Sequence, residues 1–414
     1  MGREKIEIMS PVGSWESLQA AIQGGANSVY FGIDKLNMRS KSSKNFTVDD
    51  VEKISKICME NHIRTYITLN TVIYDDEIPL MQEIVDKAKE CGITAIIASD
   101  QSVIQYANSV GVEVHMSTQA NITNIGAVKY YSQYADVMVT ARELSLDQVK
   151  AITRQIKEQN IVGPSGELVQ IEVFAHGALC MAVSGKCYLS LDNMNYSANR
   201  GACLQVCRRP YKVTDKDGGI ELEVDNEYIM SPKDLKTIGF LNKILDAGVK
   251  VLKIEGRGRS PEYVKTVTKV YREAVDSWLD GKYTEEQIQS WTDELNSVYN
   301  RGFWDGYYLG GKLGEWTEKY GSRATKKKVY VGKVTNFFSK IMVAEIKLET
   351  NSFSVNDEVK IIGETTGVYE DSIKEIRIDL NPVDTANKGD ICSIPVNGIV
   401  RRGDKLYKVV DNEL

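Results

Sequence analysis

At 414 residues the chain is longer than one hydrophobic core usually organises, so a large domain with a smaller companion is expected. Apolar residues make up 42% and charged residues 26%, as in ordinary globular proteins, and no apolar stretch approaches the length needed to span a bilayer. The net charge of −6 argues against bulk nucleic-acid binding but leaves local basic patches open.

The opening residues, Met1 to Ile6, carry no apolar signal core, so the expected compartment is the cytoplasm. Thiols stay reduced there, and seven cysteines then read as metal ligands or small buried side chains rather than as disulfides.

From Ile6 onward, short apolar runs alternate with helix-period stretches, the pattern of parallel strands joined by crossover helices. Eight such runs are legible: Ile6 to Met9, Ser28 to Phe31, Thr65 to Leu69, Ala95 to Ala98, Glu113 to Met116, Val137 to Val139, Ile171 to Ala175 and Val249 to Ile254. Helices are expected between them over Trp15 to Gln23, Val51 to Asn61, Ile78 to Cys91, Ser102 to Ser109, Ile125 to Tyr134 and Leu146 to Glu158. Ser14, Thr47 with Asp50, and Ser145 supply start signals, and Gly24-Gly25, Gly92 and Gly111 supply stops. The fold class is α/β, a (β/α)8 TIM-like barrel over residues 1–280. An open doubly wound sheet is the alternative, but the first strand lacks the glycine fingerprint of a dinucleotide site.

A helix from Ser260-Pro261 to about Leu279 and an aromatic, partly helical bridge over 281–328 follow the last run. Beyond Val329 the pattern turns to short alternating runs broken by Gly, Asn and Asp, which predicts a small C-terminal antiparallel β-barrel over 329–414.

In such barrels chemistry sits at the C-terminal ends of the strands. The polar residues there begin with Ser10, Asn37, Arg39, Asn70, Asp100 and Ser117. Gln119, Glu143, Glu172, His176, Glu255 and Arg257 complete the rim. Asp100 and Ser117 have a structural alternative as helix caps, and Glu255 has one as the ion-pair partner of Arg257 or Arg259. Their convergence on one rim nevertheless suits a small anionic substrate held by arginine and oriented by amides.

The seventh loop is anomalous, running from about Gly177 to a helix start expected at Ser231-Pro232, with an insertion at about 178–230. It holds Cys180, Cys187, Cys203 and Cys207, separated by six, fifteen and three residues. Cys58, Cys91 and Cys392 fall within regular elements and read as buried hydrophobes. Four thiols in one loop point to metal, and spacing alone leaves zinc and an iron–sulfur cluster both open, since only Cys203 and Cys207 form a tight pair.

The stretch Glu172-Val-Phe-Ala-His176-Gly-Ala-Leu-Cys180-Met-Ala-Val-Ser-Gly-Lys-Cys187 resembles the signature of the collagenase-like peptidases of unknown catalytic type. Asn199-Arg-Gly-Ala-Cys203-Leu-Gln-Val-Cys207, Leu252-Lys-Ile-Glu255-Gly-Arg257 and Ser10-Pro-Val-Gly13 extend the likeness to nearly the whole chain. Despite the family name, the resemblance implies an oxygen-independent hydroxylase acting on RNA. The best-matching members form 5-hydroxyuridine at the tRNA wobble position and depend on prephenate. It implies a [4Fe-4S] cluster on Cys180, Cys187, Cys203 and Cys207, and pocket roles for Glu172, His176, Glu255 and Arg257. Asn70, Asp100 and Gln119 rest on barrel position alone.

The expected partners are a tRNA anticodon arm, a small anionic co-substrate and an electron donor that the sequence does not identify, with no membrane. Arg208, Arg209 and Lys212 are the candidate phosphate contacts, with Arg200 nearby and Lys326 to Lys328 and Arg401-Arg402 on the C-terminal module. Peptidase activity is the competing reading. Against it, there is no His-Glu-x-x-His helix, there are only three histidines, and neither Cys180 nor Ser184 sits in a nucleophile elbow. A non-catalytic cluster protein with a redox role is the third.

Overall fold

Apolar runs that cannot face water on either side fold as strands buried beneath helices. In the computed structural model, which describes residues 6–41, 45–212, 228–311 and 314–413, each predicted run becomes a parallel strand. In chain order these are β1 (Glu7–Pro11), β2 (Ser28–Gly32), β3 (Arg64–Leu69), β4 (Ala95–Ala98), β5 (Glu113–Met116), β6 (Val137–Val139) and β7 (Gln170–Ala178). A short β8 (Asp234–Lys236) then precedes the last barrel strand, β9 (Val251–Ile254). Parallel pairing runs without a break from β1 to β7, and β9 joins both β7 and β1, so the sheet closes into a (β/α)8 barrel.

The crossover helices are α1 (Trp15–Gln23), α2 (Asp50–Glu60), α3 (Ile78–Glu90), α4 (Gln101–Val110), α5 (Ile125–Tyr131) and α6 (Leu146–Glu158). Ser14 caps α1 through the Ser17 amide, and Ser145 with Gln148 forms a capping box on α6. Inside the barrel, Met9, Tyr30, Tyr66, Ala95, Ile97, Val137 and Val251 pack as one cluster. The lumen is therefore filled, and a ligand can sit only at its mouth.

Past β7 the chain forms α7 (Leu189–Met194) within the insertion, of which 213–227 lie outside the described residues, as do residues 1–5. The helix expected at Ser231-Pro232 is not there. The Lys233 amide donates to the Glu315 carbonyl at 2.9 Å and the Asp234 amide to the Gly302 carbonyl at 2.9 Å, so this backbone extends as β8, antiparallel to the end of β7. The helix itself is α8 (Leu241–Asp246), followed by α9 (Pro261–Leu279) and α10 (Glu285–Ser297). Strand β10 (Phe303–Trp304) pairs with β8, and Trp291, Trp304 and Tyr308 belong to the barrel's outer core.

The C-terminal strands are β11 (Lys326–Phe338), β12 (Val343–Leu348), β13 (Phe353–Ser354), β14 (Glu358–Gly363), β15 (Gly367–Ser372), β16 (Ile376–Ile378), β17 (Asn381–Val383), β18 (Thr385–Ala386), β19 (Ile391–Pro395) and β20 (Lys405–Asp411). Eight of them form an antiparallel sheet with its own apolar core around Phe353, Ile361 and Leu406, while β13 and β18 pair separately. This module docks on α1 and α9: Gln23 bonds both the Thr366 carbonyl and the Val368 amide at 2.9 Å, and Lys265 reaches Glu370 at 2.6 Å. Among the described residues, no helix is long and apolar enough to cross a membrane.

Candidate active site

Side chains alternate along a strand, so Lys253, Glu255 and Arg257 all turn inward as β9 leaves the barrel. Arg257 is buried and donates from Nη1 to Thr68 Oγ1 at 2.7 Å and to Asn37 Oδ1 at 3.0 Å. Gly32 makes room for it, since a Cβ there would lie 2.6 Å from the same Nη1. Glu255 receives Arg39 Nη2 at 3.0 Å and the Tyr30 hydroxyl at 3.3 Å. Burial by itself would raise this carboxyl's pKa, but Arg39, Arg142 and Arg257 outweigh it and hold the group down to about 2. Arg257 is itself lowered to about 10 by burial, so it is still charged at neutral pH. Deeper in, Lys253 Nζ meets Glu172 Oε1 at 2.7 Å, both buried.

The cysteine loop lies over this mouth because buried anchors hold it there. Arg208 donates to the Leu179 carbonyl at 2.6 Å, to Ser231 Oγ at 3.0 Å and to the Pro232 carbonyl. Arg200 grips Glu77 with two bonds of 2.6 and 2.7 Å and stacks on Tyr74. The Val72 amide donates to the Asn199 carbonyl at 3.1 Å. The result is a cavity of about 150 Å³ whose walls include Cys180, Cys187, Cys203 and Cys207 together with Arg39, Arg142, Lys253, Glu255 and Arg257.

The lining residues offer four thiols and no imidazole, a donor set that fits an iron–sulfur cluster or a four-cysteine zinc. Among the described residues, no three Cys, His, Asp or Glu groups stand close enough to share a single ion. Burial pushes Cys207 up to about 11 and raises Cys187 as well.

Of the residues singled out from sequence, Arg39, Asn70, Ser117, Gln119, Arg208, Glu255, Arg257 and the four cysteines line this cavity. Asn70 Nδ2 donates to Ser117 Oγ at 3.2 Å, and the Gln119 side-chain oxygen is buried with no hydrogen-bond partner. Glu172 stands one layer deeper and reaches the cavity through Lys253.

Others lie elsewhere. His176 does not line the cavity: an irregularity in β7 between Phe174 and His176 shifts its register, and the ring packs against Tyr263, Tyr271 and Phe303. Burial, with Lys236 and Arg259 nearby, pushes it down to about 3, so it is neutral at physiological pH. Asp100 caps α4 through the Ser102 amide and also accepts from the Ile73 amide at 3.1 Å. Ser10 bonds Thr268 on α9, and Glu143 is exposed. Arg208 spends its donors on the protein's own backbone, whereas Arg209 and Lys212 face solvent. On the C-terminal module, Lys326 pairs with Glu358 and Lys328 with Glu262.

Tyr30, Thr68, Arg142 and Lys253 were not anticipated. Lys253 was within reach, because the period of two that turns Glu255 and Arg257 inward also turns Lys253. Arg142, on the loop after β6, is placed by its stacking over Phe174 at 3.9 Å, which no sequence pattern announces.

Fold and site define a (β/α)8-barrel protein with a thiol-walled, cation-rich cavity at the C-terminal mouth of the barrel. The chain belongs to peptidase family U32, whose family model matches residues 13–318. It is 57% identical over 408 residues to a protein of Porphyromonas gingivalis named collagenase, covering 99% of both chains. It is 30% identical to tRNA hydroxylation protein P1 of Bacillus subtilis, over 90% of this chain and 87% of that one. With the 23S rRNA 5-hydroxycytidine C2501 synthase of Escherichia coli it shares 30% identity over 75% of this chain and 46% of that one.

Proposed function

We propose that the chain is an iron–sulfur-dependent, oxygen-independent RNA hydroxylase, most specifically one that forms 5-hydroxyuridine at the tRNA wobble position with prephenate as co-substrate. The observation that carries this reading is the shared cavity: four thiols line the same space as Lys253 and as Arg39, Arg142 and Arg257, the three guanidinium groups that keep Glu255 ionised. The RNA-hydroxylating relatives at 30% identity support it. The proposed setting is the cytoplasm, where the thiols stay reduced.

Cys180, Cys187, Cys203 and Cys207 would hold a [4Fe-4S] cluster, one thiolate to each iron, which would supply electron transfer. The remaining residues bind and orient. Arg39, Arg142 and Arg257 offer a carboxylate-bearing co-substrate charge-assisted hydrogen bonds. Asn70, Ser117 and Gln119 can read the edge of a base. Glu255 stays an acceptor at neutral pH because three guanidinium groups hold it ionised. Replacing a C–H by C–OH removes two electrons from the base, so the exchange balances when the co-substrate gives up a hydroxyl group, takes a hydrogen in its place and is itself reduced by those two electrons.

The name of the P. gingivalis relative favours a peptidase as the second reading. Acyl transfer by Ser184 or Cys180 needs an adjacent base, and no histidine lines the cavity. Ser184 Oγ has Thr118 Oγ1 at 3.5 Å instead.

Two measurements test the proposal. Protein purified anaerobically is expected to carry about four irons with matching sulfide, lost in Cys203→Ala; stoichiometric zinc without iron would defeat the cluster. Nucleoside mass spectrometry of tRNA and rRNA from cells lacking the gene should show a hydroxylated base missing. Unchanged RNA would leave a peptidase or a non-catalytic redox protein.

A further inference from the structure

Beside the mouth cavity, and sharing part of the cysteine loop with it, lies a second hollow of about 600 Å³. Cys203, Gln205 and Arg208 line both spaces, so the wall between them is a single stretch of chain. Five cations, Lys41, Arg208, Arg209, Arg301 and Lys319, line the hollow, and no described carboxylate does. Asp234 sits behind it and holds Arg301 and Arg259 at 3.4 and 3.3 Å, which leaves the lining with excess positive charge. Two aromatic rings complete it. Tyr299 is stacked under Arg259 at 3.8 Å, and Tyr320 is 74% exposed.

We propose that this hollow binds the sugar–phosphate backbone of the RNA beside the nucleotide being modified, with a phosphate among Lys41, Arg209 and Lys319 and a neighbouring base against Tyr320. The inference rests on the RNA reading above and adds to it a place for the polymer that the small inner cavity cannot hold. A compact anion is best held by buried, converging donors, as in the inner cavity. The hollow instead carries three exposed cations, Lys41, Arg209 and Lys319, around an open space four times larger beside the exposed Tyr320 ring, which suits an extended polyanion whose bases stack without sequence preference. Because the two spaces share Gln205 and Arg208, a strand lying in the hollow can turn one nucleotide over that wall toward the thiols. Unstacking one base from its neighbours is the usual requirement for chemistry on it.

The test is fluorescence anisotropy of a labelled tRNA transcript across a salt series, with hydroxylation measured on the same preparations. Wild type is compared with Lys41→Ala, Lys319→Ala, Tyr320→Ala and, as a distant control, Lys388→Ala. Each lysine variant of the hollow is expected to bind on the order of five-fold more weakly at moderate salt and to lower the slope of log K against log salt by about one. Tyr320→Ala is expected to weaken binding with the slope unchanged, and Lys388→Ala to bind as wild type does. All four lie on the surface, so thermal midpoints and iron content should match wild type. If wild type hydroxylates RNA while the three hollow variants bind it normally, the backbone site is wrong and the hydroxylase reading stands. If wild type neither binds nor modifies RNA, both fall.

Discussion

Arg39 and Glu255 meet at 3.0 Å across the barrel mouth, one from the loop after β2 and the other from the end of β9. The pair joins strands that are far apart in sequence and keeps a buried carboxylate ionised. With Arg257 and Arg142 beside it, it makes the mouth both positively charged and fixed in geometry.

That pairing has a pH signature. Glu255 has a folded pKa of about 2, below its ordinary 4.5, so its contribution to stability is fully present above pH 4.5 and is lost as pH falls toward 2. In Arg39→Ala a cause that lowers the pKa is removed while burial still raises it, so the folded pKa moves up and less stability remains to be lost in acid. The gap in thermal midpoint between wild type and the variant should be widest near neutral pH and narrow as pH falls toward 2. Parallel curves would show that the pair does not govern the titration.

Arg257→Ala should abolish hydroxylation while iron content stays at the wild-type value, because Arg257 reaches Thr68 and Asn37 rather than any thiol. Two buried acceptors lose their donor, which costs about 1–3 kcal/mol of stability. Arg257→Lys should recover folding better than turnover, since a single ammonium cannot span both acceptors and a ligand. Wild-type turnover in the alanine variant would remove the mouth from the mechanism.

Arg208→Ala should behave as a structural lesion. Its guanidinium ties the start of the insertion at Leu179 to Ser231 and Pro232 at its far end, so the variant is expected to melt earlier and load less iron. The salt slope of its residual RNA binding should match wild type, in contrast with Lys319→Ala. A slope lowered by about one with full iron would instead make Arg208 a phosphate contact.

Gly177 adopts φ +107°, and a Cβ there would lie 2.3 Å from the Glu255 carbonyl oxygen. Both backbone conformation and contact therefore exclude a side chain where β7 hands over to the cysteine loop. Gly177→Ala should lower stability by roughly 2–4 kcal/mol and reduce iron loading, read by denaturant unfolding and metal analysis. Unchanged values would mean that this junction tolerates rearrangement.

Much of the architecture was legible because its causes are local. Buried parallel strands need continuous apolar runs, and the Ser145–Gln148 box and the glycine stops mark helix ends within a few residues of chain. Where the reading failed, the backbone's partners were distant in sequence. Ser231-Pro232 looks like a helix start, but Lys233 and Asp234 bond to Glu315 and Gly302, and that competition turns the segment into a strand.

Of the cysteine quartet, the sequence by itself determined that four thiols share one insertion after the seventh strand, since residue type and spacing are properties of the chain. It also determined that Glu255 and Arg257 share a face, through the two-residue period of a strand. Only the tertiary structure decided what those residues meet. It carried His176 out of the site through the shift in β7 and spent Arg208 on backbone carbonyls. It also brought Arg39 and Arg142 to Glu255 and Lys253 to Glu172. Each outcome depends on barrel closure, which sets side chains from distant strands within hydrogen-bonding reach, and no local pattern encodes a distance between residues some two hundred positions apart.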